Sequence, residues 1–191
     1  MRRCLCLLVA VMLLVPLFGC RQEPQKEFTA DELTALPGGQ LLSVLQENGL
    51  RLPDGYPAET AEQLASEYIP RYLRGEIDAY AAAAAIDYDG TAEVLFRLEG
   101  ALRRMGLCPK VYTYDELEGM TNHARLMLFE ANGLEINAQL RQTYTDEQLE
   151  ALFGAEFAQW SAGKTTRKGA MYRDLAKQTE RICRELTAAA A

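Results

Sequence analysis

The chain of 191 residues is poor in the side chains that most often build active sites and metal centres, with one histidine, one tryptophan and five cysteines. A zinc site needs several His, Cys or carboxylate ligands at suitable spacing, which this set does not supply. His123 could serve as a base, but no Gly-x-Ser-x-Gly or His-Glu-x-x-His motif gives it a nucleophile or a second ligand. We therefore expect His123 to be solvent-facing or loosely packed, and we expect no metal and no catalytic residues.

Two cofactor motifs are incomplete. The segment Gly163–Thr166 resembles the end of a phosphate-binding loop, but Ala158 stands where that loop needs its first glycine. The acids between Asp87 and Glu93 resemble part of a calcium loop, but Ala85 stands where the loop needs its first carboxylate. The sequence therefore predicts no bound cofactor.

Long apolar runs are also scarce. The run at residues 5–17 is shorter than the roughly 20 apolar residues that a membrane-spanning helix requires. Arg2 and Arg3 precede this run, and Gly19 and Cys20 follow it. A positive start, a short apolar stretch and a small residue before a cleavage point are typical of a secretory signal peptide.

The segment Leu17-Phe18-Gly19-Cys20 resembles the lipobox of bacterial lipoprotein precursors. The resemblance implies that residues 1–19 are removed and that Cys20 carries a diacylglyceryl group, usually with a further N-acyl chain. Two or more acyl chains hold a protein stably at a membrane. We therefore expect a lipid-anchored protein on the extracytoplasmic face of the cell membrane, with residues 20–28 as lipidated Cys and flexible tether.

Positive charge is in deficit, with 20 Lys and Arg against 27 Asp and Glu, a net charge of −7. Loss of Arg2 and Arg3 with the signal peptide makes the net charge −9, which argues against nucleic acid as a partner. The last predicted helix is the exception, with basic residues at Arg173, Lys177, Arg181 and Arg184. These four residues could form a partner surface for an anionic envelope component, or they could lie on a solvated helix face.

Two cysteines remain once Cys4 and Cys6 leave with the signal peptide and Cys20 is lipidated. Cys108 and Cys183 could form a disulfide, because an extracytoplasmic compartment permits one. Each also adjoins an apolar helical stripe, which suits a buried free thiol. Both alternatives stay open.

The chain repeats a set of local patterns at a spacing of 84 residues. The segment 29–33 returns as 113–117, and Asn48-Gly49-Leu50 returns as Asn132-Gly133-Leu134. With one residue of adjustment, 60–64 returns as 145–149. These matches predict two similar halves, residues 29–112 and 113–191.

The repeated residues have physical roles at helix ends. A Thr with Glu or Gln three residues later forms a capping box, and four such boxes are predicted, at Thr29, Thr60, Thr113 and Thr145. Gly49 and Gly133 suit the left-handed residue that follows a helix. Helices are predicted at residues 30–36, 40–48, 60–74, 94–105, 114–118, 122–132, 145–161 and about 168–187, with 76–88 ambiguous and Pro70 kinking or breaking its helix.

The fold class predicted is mainly α, with two tandem similar helical halves of about three to four helices each in a pseudo-two-fold arrangement. The anchor and the lack of a catalytic motif favour a non-catalytic binding or accessory module at the cell surface. Its partner would be a protein or an envelope component, bound in the groove between the halves or on the basic last helix. The alternative is a cell-wall-acting hydrolase, which predicts two acids, one from each half, facing a shared cleft with a raised pKa in one.

Overall fold

The structure, a computed structural model, describes residues 27–84, 90–163 and 170–188, of which 170–172 are described for the backbone alone. Within those ranges the chain forms ten α-helices and no strand, which confirms the mainly helical prediction. The helices are α1 (Ala30–Thr34), α2 (Gly38–Glu47), α3 (Ala58–Leu73), α4 (Ala79–Ala84), α5 (Gly90–Arg104), α6 (Tyr114–Gly119), α7 (Asn122–Ala131), α8 (Ala138–Thr143), α9 (Asp146–Ser161) and α10 (Ala170–Thr187).

Three of the four predicted capping boxes start helices. Thr29, Thr113 and Thr145 each accept a hydrogen bond from the backbone amide three residues later, and the side chain of that later residue accepts from the threonine amide. The box predicted at Thr60 is wrong. Helix α3 begins at Ala58 after Pro57, so Thr60 lies inside its first turn. Ala and Glu are good helix formers, and they extend the helix ahead of the threonine.

The two Asn-Gly-Leu segments end α2 and α7 in the same way. Gly49 and Gly133 have φ of 85° and 88°, the left-handed region that glycine adopts without a Cβ clash. The amides of Leu50 and Leu134 donate to Leu45 O and Phe129 O, both at 2.9 Å. The helix ends predicted at these segments are therefore confirmed.

Two parts of the prediction differ from the structure. Helix α3 continues through Pro70 to Leu73, so Pro70 does not break it. Pro70 lies in the last turn, and the helix ends three residues beyond it. The short helix α8 falls in a stretch that carries little apolar periodicity, and the sequence does not predict it.

Helix α5 lies at the centre of the fold. It packs against α2, α3, α4 and α7, and α9 packs against both α7 and α10. One hydrophobic cluster takes in buried side chains from before and after residue 112. Gly100 allows α5 and α7 to approach closely, because a Cβ at this position would lie 2.4 Å from Ala131 O.

The segments that carry the anchor prediction, residues 1–19 and most of 20–28, lie outside the described residues. Asp87, Asp89 and Lys164–Thr166 lie outside them as well. In the part of the chain that the structure describes, none of the helices is both long and apolar enough to cross a membrane.

Candidate functional site

Arg104, the last residue of α5, joins the ends of two other helices. Its Nε donates to Asn48 O at 3.0 Å and its Nη2 to Gly49 O at 3.0 Å, both just beyond α2. Its Nη1 donates to Ala131 O, the last residue of α7, at 2.8 Å. These carbonyls are left unpaired when a helix ends, so the guanidinium satisfies both ends at once.

A groove of about 660 Å³ opens beside Arg104. Seven charged residues line it, and they are Arg51, Glu93, Arg97, Arg104, Glu130, Glu135 and Arg141. Four of these are arginines and three are glutamates, so the groove has a formal charge of +1 on a chain whose net charge is −7. A locally positive cleft favours negatively charged ligands on an otherwise acidic protein.

Two ion pairs fix most of these charges. Arg97 Nε donates to Glu93 Oε1 at 2.9 Å, and Arg97 Nη1 donates to the carbonyl oxygen of Arg51 at 2.6 Å. Arg141 pairs with Glu130, and both residues line the groove. Burial raises the pKa of the Glu130 carboxyl, although Arg141 opposes the shift, and the charge of Glu93 adds to it.

Two arginines in the groove have no carboxylate partner among the described residues. Arg104 donates only to backbone carbonyls, and burial lowers the pKa of its guanidinium. The exposed Arg51 makes no side-chain hydrogen bond or ion pair with the described residues. These are the cationic groups available to a ligand.

The groove also has an apolar wall. Met127, Leu134 and Ile136 line it, with Met127 and Ile136 partly exposed. Ligand sites commonly combine apolar walls with a few placed polar groups, and the volume lies within the range of about 300–1,000 Å³ for such sites.

The four basic residues predicted as a partner surface lie on one exposed stripe of α10. Arg181 Nη1 lies 3.0 Å from Glu185 Oε1, and Arg184 Nη2 lies 2.5 Å from Glu180 Oε1. Arg181 Nη2 also donates to Gly133 O at 3.3 Å, and Gly133 lines the groove. The stripe that Arg173, Lys177, Arg181 and Arg184 form therefore adjoins the groove at one point.

A buried acid lies elsewhere in the core. Glu99 on α5 is fully buried and accepts from the Ala79 amide at 2.9 Å and from Tyr112 Oη at 2.6 Å. Arg103 Nη2 approaches it at 3.4 Å. Burial raises the pKa of Glu99, and these three donors oppose the rise. Because no solvent reaches it, Glu99 is part of the core and not of the groove.

The remaining predicted residues lie apart from the groove. Cys108 is half-buried and Cys183 is buried, and both are free thiols in the structure. A disulfide between them stays a prediction. Burial raises their pKa values to about 11 and about 12. His123 is partly exposed, with Nδ1 2.6 Å from Glu150 Oε1. In the described residues there is no cluster of three His, Cys or acidic side chains that could hold a metal.

Sequence reasoning identifies the groove only in part. It singles out the Asn-Gly turns at residues 48–49 and 132–133, whose glycines line the groove, but not Arg51, Arg97, Arg104 or Arg141. The available signal is Arg104 itself, a basic residue in the last turn of α5, where helix-end carbonyls attract cations.

No family model, curated protein or solved structure matches this chain.

Proposed function

We propose that this protein is an extracytoplasmic, lipid-anchored binding module that holds an envelope partner in the arginine-lined groove. The observation that carries the proposal is the pair of groove arginines, Arg51 and Arg104, that lack a carboxylate partner among the described residues. A positively charged groove on an otherwise acidic protein attracts anionic ligands, which suits a recognition site.

The groove is also preorganised. Its two ion pairs and the contacts of Arg104 hold long side chains in place before a ligand arrives. Preorganised side chains lose less conformational entropy on binding, which raises affinity. This supports recognition by a fixed surface.

The proposal includes two similar halves, residues 29–112 and 113–191. Its support is the 84-residue spacing of the sequence matches, together with the capping boxes formed at Thr29 and Thr113 and the glycine-terminated ends of α2 and α7. Arg104 donates to Gly49 O in the first turn and to Ala131 O, the residue before the second turn. On this proposal the groove lies between equivalent turns of the two halves.

The anchor is the lipobox-like segment ending at Cys20. Acylation at this residue would hold the domain at the outer face of the membrane, with residues 20–28 as a polar tether. The groove would then meet partners in the envelope.

The test combines labelling and crosslinking in cells. An alkyne analogue of palmitate should label the wild type and not the Cys20→Ser variant. A photo-crosslinking amino acid at Ile136, in the groove, should yield a defined adduct in the membrane fraction, whereas one at Glu67, exposed on α3 outside the groove, should not. Absence of label, or equal crosslinking from both positions, would contradict the proposal.

A second candidate is a wall hydrolase that uses paired carboxylates. Glu93 and Glu130, one from each proposed half, line the same groove, and burial together with the charge of Glu93 raises the pKa of Glu130. A raised pKa suits a general acid. Release of soluble fragments from purified wall material, abolished in Glu130→Gln and kept in Arg184→Gln, would favour this candidate over the binding module.

A further inference from the structure

Arg104 lines the groove and retains hydrogen-bond donors that no described residue uses. A guanidinium has five N–H groups, and three of them donate to Asn48 O, Gly49 O and Ala131 O. With the described residues, this leaves one N–H on Nη1 and one on Nη2. Such donors can hold a carboxylate through charge-assisted hydrogen bonds.

The surrounding charges restrict which anion fits. Arg51 adds a second cation without a partner among the described residues, but Glu93, Glu130 and Glu135 line the same groove. A polymer with closely spaced phosphates would bring negative charge against all three glutamates. A ligand with a single carboxylate avoids this repulsion.

The apolar wall indicates what the rest of the ligand carries. Met127 and Ile136 are partly exposed beside the arginines, and contact with an apolar side chain would remove their surface from water. A peptide segment supplies a carboxylate and apolar side chains within a few residues.

We propose that the groove binds an acidic peptide segment, with one carboxylate held by Arg104 and Arg51 and a neighbouring apolar side chain against Met127 and Ile136. This inference rests on the proposed function, since it names the ligand class of the same groove.

Isothermal titration calorimetry of the mature lipidated protein in detergent tests this inference. The probes are the blocked tripeptide acetyl-leucyl-glutamyl-leucinamide, its glutaminyl counterpart and inorganic phosphate. The glutamyl peptide should bind about tenfold more tightly than the glutaminyl one, the effect of losing a charge-assisted contact.

Three variants locate the site. Arg51→Gln removes an exposed charge and should weaken binding of the glutamyl peptide about threefold without affecting the fold. Arg104→Lys keeps the charge but removes the guanidinium donors, and should reduce the preference for the glutamyl peptide. Arg184→Gln, on α10 outside the groove, is the matched control and should bind as the wild type does.

Equal binding of the two peptides, no binding of either, tighter binding of phosphate, or unchanged affinity in Arg51→Gln would overturn the inference. Crosslinking from Ile136 in cells would still stand in each of these cases, so the inference can fail while the proposed function survives. Absence of the lipid label, or equal crosslinking from Ile136 and Glu67, would contradict the proposed function whatever the peptides do.

Discussion

Gly100→Ala tests the close approach of α5 and α7 on which the groove depends. The new Cβ would lie 2.4 Å from Ala131 O and 3.0 Å from Ala131 C. Ordinary contact distances would require the two helices to separate by about 1 Å, and overpacking of this kind costs about 1–3 kcal/mol. Alanine also favours the helix over glycine by up to about 1 kcal/mol, so the net effect needs a matched control.

Gly119→Ala supplies that control. Gly119 ends α6 and is exposed, and a Cβ added there would meet no atom within 4 Å, so only the helix preference changes. The unfolding free energy of Gly100→Ala should therefore be about 1–3 kcal/mol lower than that of Gly119→Ala. Urea unfolding followed by circular dichroism measures the difference. Equal stability of the two variants would refute the close contact between Gly100 and Ala131.

The remaining predictions concern single residues. Burial raises the pKa of Glu99, so the native state holds a proton that the unfolded state loses above about pH 4.5. The unfolding free energy of the wild type should therefore fall as pH rises from about 4.5 through the raised pKa of native Glu99, and it should fall less in Glu99→Gln. Urea unfolding at a series of pH values measures this. Thr145→Ala should lower the unfolding free energy by about 1 kcal/mol and Thr60→Ala should not, because of these two threonines Thr145 caps a helix and Thr60 does not. Thermal unfolding of the two variants measures the difference. Cys108 and Cys183, with raised pKa values, should react with iodoacetamide near neutral pH far more slowly in the native protein than in urea, followed by mass spectrometry.

Local signals predict the helix ends well. The capping boxes at Thr29, Thr113 and Thr145 act through residues three positions apart, so the chain segment itself contains the whole interaction. Thr60 shows the limit of this reasoning, because an earlier start at Ala58 also satisfies the helix.

Contacts between distant segments are not predictable in the same way. Arg104 binds carbonyl groups 55 or 56 residues earlier and 27 residues later in the chain, and nothing local to α5 specifies those partners. Glu99 leaves a clearer signal, because it lies between Leu95 and Leu102 on the apolar stripe of α5. An acid on such a stripe is buried and needs donors, which Ala79 and Tyr112 provide.

The carbonyl group of Ala131 affects both the stability of the fold and the proposed binding site. Its oxygen lies where any side chain at position 100 would collide, and it also accepts from Arg104 Nη1 at 2.8 Å. Widening the junction between α5 and α7 therefore moves an acceptor of the same guanidinium that we propose binds the ligand carboxylate. A ligand that needs this arrangement binds the native state and not the unfolded chain, so it should raise the unfolding free energy by mass action. Because Gly100→Ala disturbs the arrangement and Gly119→Ala does not, the first should weaken peptide binding as well as stability.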